Sequence, residues 1–157
     1  KVFGGSHHCH CIFWSKFLVI AGLSFVTQVL FFALYLAAGF YFGFQSPVPP
    51  DVIRWFLCAW IGSLPVAAMQ LFFAMRIRSF AVPVGIGFAC SVVGFLLAAK
   101  GWWACFPNTL VIAGMGAVSQ EALGQVDMGI FFVMCTVFTA LFCGLSLLVL
   151  KKADVKS

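Results

Sequence analysis

Three histidines and two cysteines stand within the six residues of the segment SHHCHC, from Ser6 to Cys11. Imidazole and thiolate groups are common zinc ligands, so this segment is a candidate metal site. Structural zinc sites usually add a second, distant ligand pair, and the chain has no other histidine to supply one. We therefore expect no resident metal or other cofactor, with adventitious metal binding by His7, Cys9, His10 and Cys11 as the alternative.

The rest of the chain offers few residues that could do catalysis. Its long apolar runs contain no Asp, Glu, Lys, Arg or His in their cores, and proton relays inside membranes depend on such residues. A quinone-linked thiol oxidase would need a CxxC pair, which the sequence lacks. We therefore predict that the protein is not an enzyme. Gln28 and Gln70 are expected to join helices by hydrogen bonds.

The composition predicts an integral membrane protein. Of the 157 residues, 64% are hydrophobic and only 8% are charged, whereas a soluble domain carries about 25% charged residues. Backbone amides in lipid must be satisfied within their own segment, which makes helices the default. The expected fold class is therefore all-α, a polytopic membrane protein.

The spacing of the charged residues predicts four transmembrane helices within residues 16–150. We expect them at about 16–43, 52–76, 79–99 and 128–150, after a lead-in at 1–15 and before a tail at 151–157. The stretch 101–127 is broken by Pro107, Asn108 and several glycines, so it is a poor spanning helix. We predict a re-entrant or interfacial helical segment there, covered by protein.

The basic residues predict the orientation. If residue 1 lies in the cytoplasm, seven of the nine lysines and arginines lie inside, and only Arg54 and Lys100 lie outside. This asymmetry fits the positive-inside rule and places the C-terminus in the cytoplasm. The net charge of +5 is therefore explained by the membrane orientation and by contact with lipid. No nucleic-acid partner is expected.

The third predicted helix has features that suggest how it begins and packs. Ser79 could cap its start, and Pro83 falls in the first turn, where a missing N–H has no helical partner to lose. Gly87, Ser91 and Gly94 follow at three- to four-residue spacing. Small residues on one face let helices approach closely in lipid, so we expect this face to pack against a neighbour.

The region from Met69 to Leu110 resembles ABC-2 type permeases, most closely the lantibiotic-immunity and bacitracin-resistance branch. A short basic loop with Arg76 and Arg78 precedes a Ser/Asn-Phe-x-x-Pro-x-x-Ile-Gly helix start. The matching residues are Ser79, Phe80, Pro83, Ile86 and Gly87, followed by Lys100, Gly101, Trp102, Phe106 and Pro107. The resemblance extends more weakly over about residues 14–150.

The resemblance implies a function and several partners. Such permeases have six transmembrane helices, so the first two would be missing from this chain. They work as homo- or heterodimers with a separate cytoplasmic ATPase, and in this branch they remove a membrane-active peptide from the bacterial cytoplasmic membrane. The ATPase-coupling segment corresponds here to residues 1–15. The candidate coupling residues are Phe3, Phe13 and Trp14 within it and Lys16 directly after it.

One alternative from a different class stays open. The usual amphipathic coupling segment is replaced here by GGSHHCHCIFW. The chain could therefore be a non-transport membrane scaffold or an inactive, truncated permease fragment. On the permease interpretation its partners are the ATPase, a second permease subunit, a peptide substrate and membrane lipid.

Overall fold

The computed structural model describes residues 5–43, 51–77, 79–116 and 127–154, and within residues 5–10 and 151–154 it describes the backbone only. These ranges are helical and contain no strand, which confirms the predicted all-α class. Four of the helices are long and apolar enough to cross a membrane. The helices are α1 (Gly5–Tyr41), α2 (Val52–Arg76), α3 (Ala81–Ala99), α4 (Pro107–Gly114) and α5 (Met128–Asp154).

The first and last helices are longer than predicted. α1 begins at Gly5 rather than near residue 16, so most of the expected lead-in is helical. α5 likewise continues to Asp154, into the expected tail. Extending an existing helix by one residue is far easier than nucleating one, and neither extension contains proline. A polar composition alone therefore does not end these helices.

The start of α3 differs from the prediction by a short distance. Phe80 occupies the N-cap position without a side-chain hydrogen bond, so Ser79 does not cap the helix. Pro83 is the third residue of α3 and is buried. Its missing N–H belongs to the first turn, where helical amides have no partner in any case. The expected tolerance of this proline is confirmed.

α2 is the central helix and contacts each of the other four. Its two ends define directions in the bundle: the Trp55 end, where α2 begins, and the Arg76 end, where it finishes. Phe25 of α1 packs on Trp60 with ring centroids 5.2 Å apart, whereas Phe17 lies with Leu71, so α1 runs antiparallel to α2. α5 runs parallel to α2, because Cys135 packs near Cys58 and Cys143 packs near Leu71.

Two apolar clusters hold the bundle together. The Arg76-end cluster contains Phe13, Phe17, Ala68, Leu71 and Cys143. The Trp55-end cluster contains Cys58, Leu110, Phe131 and Cys135. The outward faces are also apolar, with Phe88 and Phe95 more than half exposed. Such an exterior suits hydrocarbon rather than water, as expected for a membrane-embedded protein.

Candidate functional site: a polar groove beside a re-entrant helix

The short helix α4 lies antiparallel to α2 and very close to it. A Cβ built on Gly62 would lie 3.0 Å from the Leu110 carbonyl oxygen, and one on Gly114 would lie 2.8 Å from the Cys58 carbonyl oxygen. Gly116 then faces the indole ring of Trp55. Only glycine at these positions permits such an approach between the two backbones. α4 therefore runs along α2 towards the Trp55 end.

The first residues of α4 lie deeper in the bundle than the C-terminal end of α3. A Cβ on Gly94 would come within 2.6 Å of Asn108 Cβ, and Asn108 also contacts Ser91. Gly94 and Ser91 precede Ala99, the last residue of α3, by five and eight positions. At a rise of 1.5 Å per residue, Asn108 therefore lies about 8–12 Å deeper in the bundle than the C-terminal end of α3. Residues 100–116 thus enter the bundle and return to the same end. This is the predicted re-entrant geometry; residues 117–126 lie outside the described ranges.

A buried threonine fixes the turn that reverses the chain. Thr109 is completely buried, and its hydroxyl lies 2.6 Å from the Trp103 carbonyl oxygen and also close to the Phe106 carbonyl oxygen. Pro107 is the first residue of α4, where its fixed φ favours helix entry. Together these residues position Asn108 against α3.

The small-residue face of α3 makes the close contacts that the spacing predicts. A Cβ on Gly87 would overlap the Gln70 side-chain amide, and Gly94 is in contact with Asn108. Ser91 lies between these glycines and bonds to Asn108. Of the two glutamines predicted to join helices by hydrogen bonds, Gln28 does so, since its Nε2 donates to the Phe56 carbonyl at 3.4 Å. The Gln70 side chain packs against Gly87 and makes no hydrogen bond among the described residues.

A groove runs between α1 and α3, with α2 between them and α4 at one end. Its two halves share Ile20 and Gln70 and have volumes of about 490 Å³ beside α4 and about 400 Å³ at the Arg76 end. The half beside α4 is lined by Ile20, Ser24, Ser63, Val66, Ala67, Gln70, Ser91, Asn108, Val111 and Ile112. The other half is lined by Ile20, Gln70, Leu71, Ala74, Ile77, Ser79, Phe80, Pro83 and Val84.

Two polar residues of this groove, Asn108 and Ser91, are joined by a hydrogen bond, and the described lining has no charged member. Asn108 Nδ2 donates to Ser91 Oγ at 3.0 Å, and the Ser91 hydroxyl donates to the Gly87 carbonyl at 3.0 Å. Asn108 Oδ1 is buried and has no hydrogen-bond partner among the described residues. Polar groups inside a membrane bundle are candidates for function, which makes this set the candidate site.

Four of the predicted motif residues fall on or beside this groove. Ser79, Phe80 and Pro83 line its Arg76-end half, and Gly87 lies against Gln70. The other described motif residues lie elsewhere. Ile86 is half-buried on α3, and Pro107 is buried at the start of α4. Arg76 is exposed where α2 ends, and Trp102 is exposed at the Trp55 end. Arg78 lies outside the described residues.

The candidate coupling and metal residues are spread over different environments. Phe13 is fully buried in the Arg76-end cluster, which makes it a packing residue rather than a surface for a partner. Trp14 and Lys16 are exposed. Phe3 and the side chains of His7, Cys9 and His10 lie outside the description, and Cys11 is exposed. The predicted metal ligation by these four residues stays untested.

Asn108 is the site residue that the sequence patterns do not single out. Before the fold is known, it counts only as one of several residues that interrupt an apolar stretch. A polar amide directly after a proline in such a stretch is a usable signal, because buried amides need partners. Its pairing with Ser91, seventeen residues earlier, requires the three-dimensional structure.

No family model matches this chain, and neither a curated protein nor a solved structure matches it.

Proposed function

We propose that this chain is a permease subunit of an ABC transporter of the ABC-2 kind, located in the bacterial cytoplasmic membrane. The observation that carries the proposal is the groove that runs from the Arg76 end to α4. Residues of the resembled motif line it, namely Ser79, Phe80 and Pro83. ABC-2 permeases have extracellular helical elements before their last transmembrane helix, and the re-entrant helix at the other end of the groove agrees with this family feature.

A separate cytoplasmic ATPase would supply the energy. The described lining of the groove carries no charged side chain that could couple transport to an ion gradient. The Arg76 end would be cytoplasmic by the positive-inside rule, because Arg76, Lys151 and Lys152 belong to this end of the chain's helices. The C-terminus would then lie in the cytoplasm as well.

The transported molecule would be a lantibiotic or another membrane-active antimicrobial peptide, expelled for self-immunity or resistance. Such a peptide partitions into the bilayer, from which the apolar walls of the groove would receive it. A second permease subunit, identical or different, would complete the transporter. This substrate assignment is supported by the family resemblance.

Co-purification tests the partnership directly. The tagged full chain is expressed with the ATPase encoded beside its gene, extracted in mild detergent and purified through the tag. We expect the ATPase to co-purify and the pair to raise the lantibiotic concentration that inhibits growth. A folded, membrane-inserted chain that retains no ATPase and confers no resistance would instead support the scaffold or inactive-fragment alternative.

Reversing the charge of Arg76 should weaken this partnership. Arg76 is exposed at the proposed cytoplasmic end, where a basic side chain can pair with acidic groups on a partner. We expect Arg76→Glu to reduce the co-purified ATPase at least about five-fold, the effect of about 1 kcal/mol. The matched control is Lys100→Glu at the Trp55 end, which should leave co-purification unchanged. Equal losses in both variants would contradict the assigned docking end.

A further inference from the structure

The side-chain amide of Gln70 is both accessible and unpartnered in the middle of the groove. Gln70 lines both halves, and its side chain packs on Gly87 of α3 without a hydrogen bond among the described residues. Its amide atoms keep accessible surface, because Asn108 Oδ1 is the one enclosed side-chain polar atom without a partner in the described part of the chain. Gln70 can therefore donate to a bound molecule from two N–H groups.

The walls beyond Gln70 suit a hydrocarbon chain. Ser24 donates to the Ile20 carbonyl at 2.8 Å, and Ser63 donates to the Trp60 carbonyl at 2.7 Å. Because these hydroxyl protons are already bonded, a hydrocarbon chain against them leaves no donor unsatisfied. Most of the other side chains in the half beside α4 are aliphatic: Ile20, Val66, Ala67, Val111 and Ile112.

The depth of Gln70 matches that of the glycerol esters of a lipid. Gln70 precedes the exposed Arg76 by six residues, which separates the two by about 9 Å along α2. An exposed arginine at a helix end lies at the membrane surface, and the headgroup region of each leaflet is about 5–8 Å thick. Gln70 therefore lies where this region meets the hydrocarbon. The α2 lining continues to Ser63, about 10 Å deeper, which is still within the ~15 Å of one leaflet.

A basic side chain lies where the headgroup of such a lipid would be. Lys16, Ile20 and Ser24 share one face of α1 at four-residue spacing, and Ile20 and Ser24 line the groove. Because α1 runs antiparallel to α2, Lys16 lies about 6 Å nearer the Arg76 end than Ile20 does. Lys16 is exposed, and no ion pair among the described residues involves it. An anionic headgroup would supply its counter-charge.

We infer that the groove binds one anionic glycerophospholipid, of the phosphatidylglycerol type, from the leaflet at the Arg76 end. Lys16 pairs with the phosphate, and the Gln70 NH₂ group donates to a glycerol-ester carbonyl. One acyl chain lies along the groove towards α4. This site does not depend on an ATPase partner, so it stands or falls separately from the proposed transport.

Photolabelling of the full chain in phosphatidylcholine nanodiscs tests the site. The probe is phosphatidylglycerol with a diazirine in one acyl chain, and the labelled residues are mapped by peptide mass spectrometry. We expect labels on Val66, Val111 and Ile112, and unlabelled phosphatidylglycerol should displace the probe. Its diether analogue, which has no ester carbonyl, should compete about two- to ten-fold less well. Soluble glycerol phosphate, which has the charge but no acyl chain, should not compete.

Removal of the Lys16 charge should reduce the preference for an anionic headgroup. This preference is the ratio of groove labelling by the phosphatidylglycerol probe to labelling by a phosphatidylcholine probe with the same acyl chains. We expect Lys16→Gln to lower the ratio about five-fold. The matched control is Lys100→Gln, which removes the same charge from an exposed position at the Trp55 end and should leave the ratio unchanged.

Removal of the Gln70 amide should affect a different measurement. Gln70→Leu keeps a side chain of similar size but has no N–H donor, so the diester and diether lipids should compete equally in this variant. The control is Thr136→Val, which removes an exposed hydroxyl on α5 that donates to the Phe132 carbonyl and should keep the difference. Size-exclusion profiles and circular dichroism of each variant report whether the chain is folded.

Several outcomes would overturn the proposal. They are equal groove labelling by the two headgroup probes, labels concentrated on lipid-facing Phe88 and Phe95, and an unchanged ratio in folded Lys16→Gln. An ester–ether difference that persists in folded Gln70→Leu would also overturn it, because the ester would then not contact this amide. A dimeric chain with an unlabelled groove would instead assign the groove to a second copy.

Discussion

At the scale of single residues, Thr109 holds the turn that makes the re-entrant segment possible. Its buried hydroxyl contacts the Trp103 and Phe106 carbonyl oxygens. Thr109→Val preserves the shape of the side chain but leaves the Trp103 carbonyl without that donor, whereas the Phe106 carbonyl still accepts from the Thr109 N–H. A buried carbonyl that loses its donor costs about 1–3 kcal/mol. We expect hydrogen exchange of the α4 amides Leu110–Gly114 to become about 5- to 150-fold faster, the equivalent of this cost.

Thr136→Val provides the matched control for this measurement. Thr136 is exposed on α5, and its hydroxyl bonds to the Phe132 carbonyl one turn earlier, which already accepts within the helix. Removing this hydroxyl should leave exchange in α4 unchanged. If both variants accelerated α4 exchange equally, the turn would not depend on the Thr109 hydroxyl.

The close packing of the glycines near the motif could be predicted from the sequence, whereas the burial of a single aromatic residue could not. The spacing of Gly87 and Gly94 correctly indicates close packing, because a missing side chain has the same consequence in any helix interface. The burial of Phe13 could not be read in the same way. Aromatic residues at a helix end can face lipid, a partner or the bundle, and only the position of Leu71 and Cys143 decides among these.

At the scale of helices, the contact between α2 and α4 depends on glycine. Gly114→Ala would place a Cβ 2.8 Å from the Cys58 carbonyl oxygen, and relieving such a contact costs about 1–3 kcal/mol. We expect the apparent melting temperature, measured by size-exclusion after heating in detergent, to fall by about 2–4 °C for each kcal/mol.

Gly144→Ala in α5 makes the same substitution where no atom lies within 4 Å of the new Cβ. It should be neutral or stabilising by about 0.5–1 kcal/mol, since alanine is the better helix former. A Gly114→Ala protein as stable as Gly144→Ala would show that the two helices can separate freely at this point.

The helix boundaries show where sequence reasoning fails for a physical reason. Prolines and charges predict the start of α2 and the end of α3 closely, since each breaks a helix or marks a membrane surface. The beginning of α1 has no such residue, and the helix continues to Gly5.

At the scale of the whole molecule, the number of spanning helices follows from the sequence but their arrangement does not. Each long helix is apolar around most of its circumference, so no stripe indicates which neighbour it contacts. The central position of α2 follows instead from tertiary contacts such as Gly62 with Leu110 and Gln28 with Phe56. The groove exists because α1 packs directly on α2, whereas α3 packs mainly on α4 through Ser91 and Gly94 against Asn108.

The orientation of this arrangement in the membrane can be tested through two exposed cysteines at opposite ends. Cys105 belongs to the loop at the Trp55 end, and Cys11 lies on α1 at the Arg76 end. Maleimides react with thiolates that reach water, whereas Cys58, Cys135 and Cys143 are buried. In intact cells, we expect a membrane-impermeant maleimide to label the chain, Cys105→Ser to abolish this labelling and Cys11→Ser to leave it unchanged.

Permeabilising the cells should then add labelling that Cys11→Ser reduces, because the Arg76 end faces the cytoplasm in the proposed orientation. The opposite pattern, with labelling of intact cells lost in Cys11→Ser and retained in Cys105→Ser, would place the Arg76 end outside. Arg76 could not then contact a cytoplasmic ATPase.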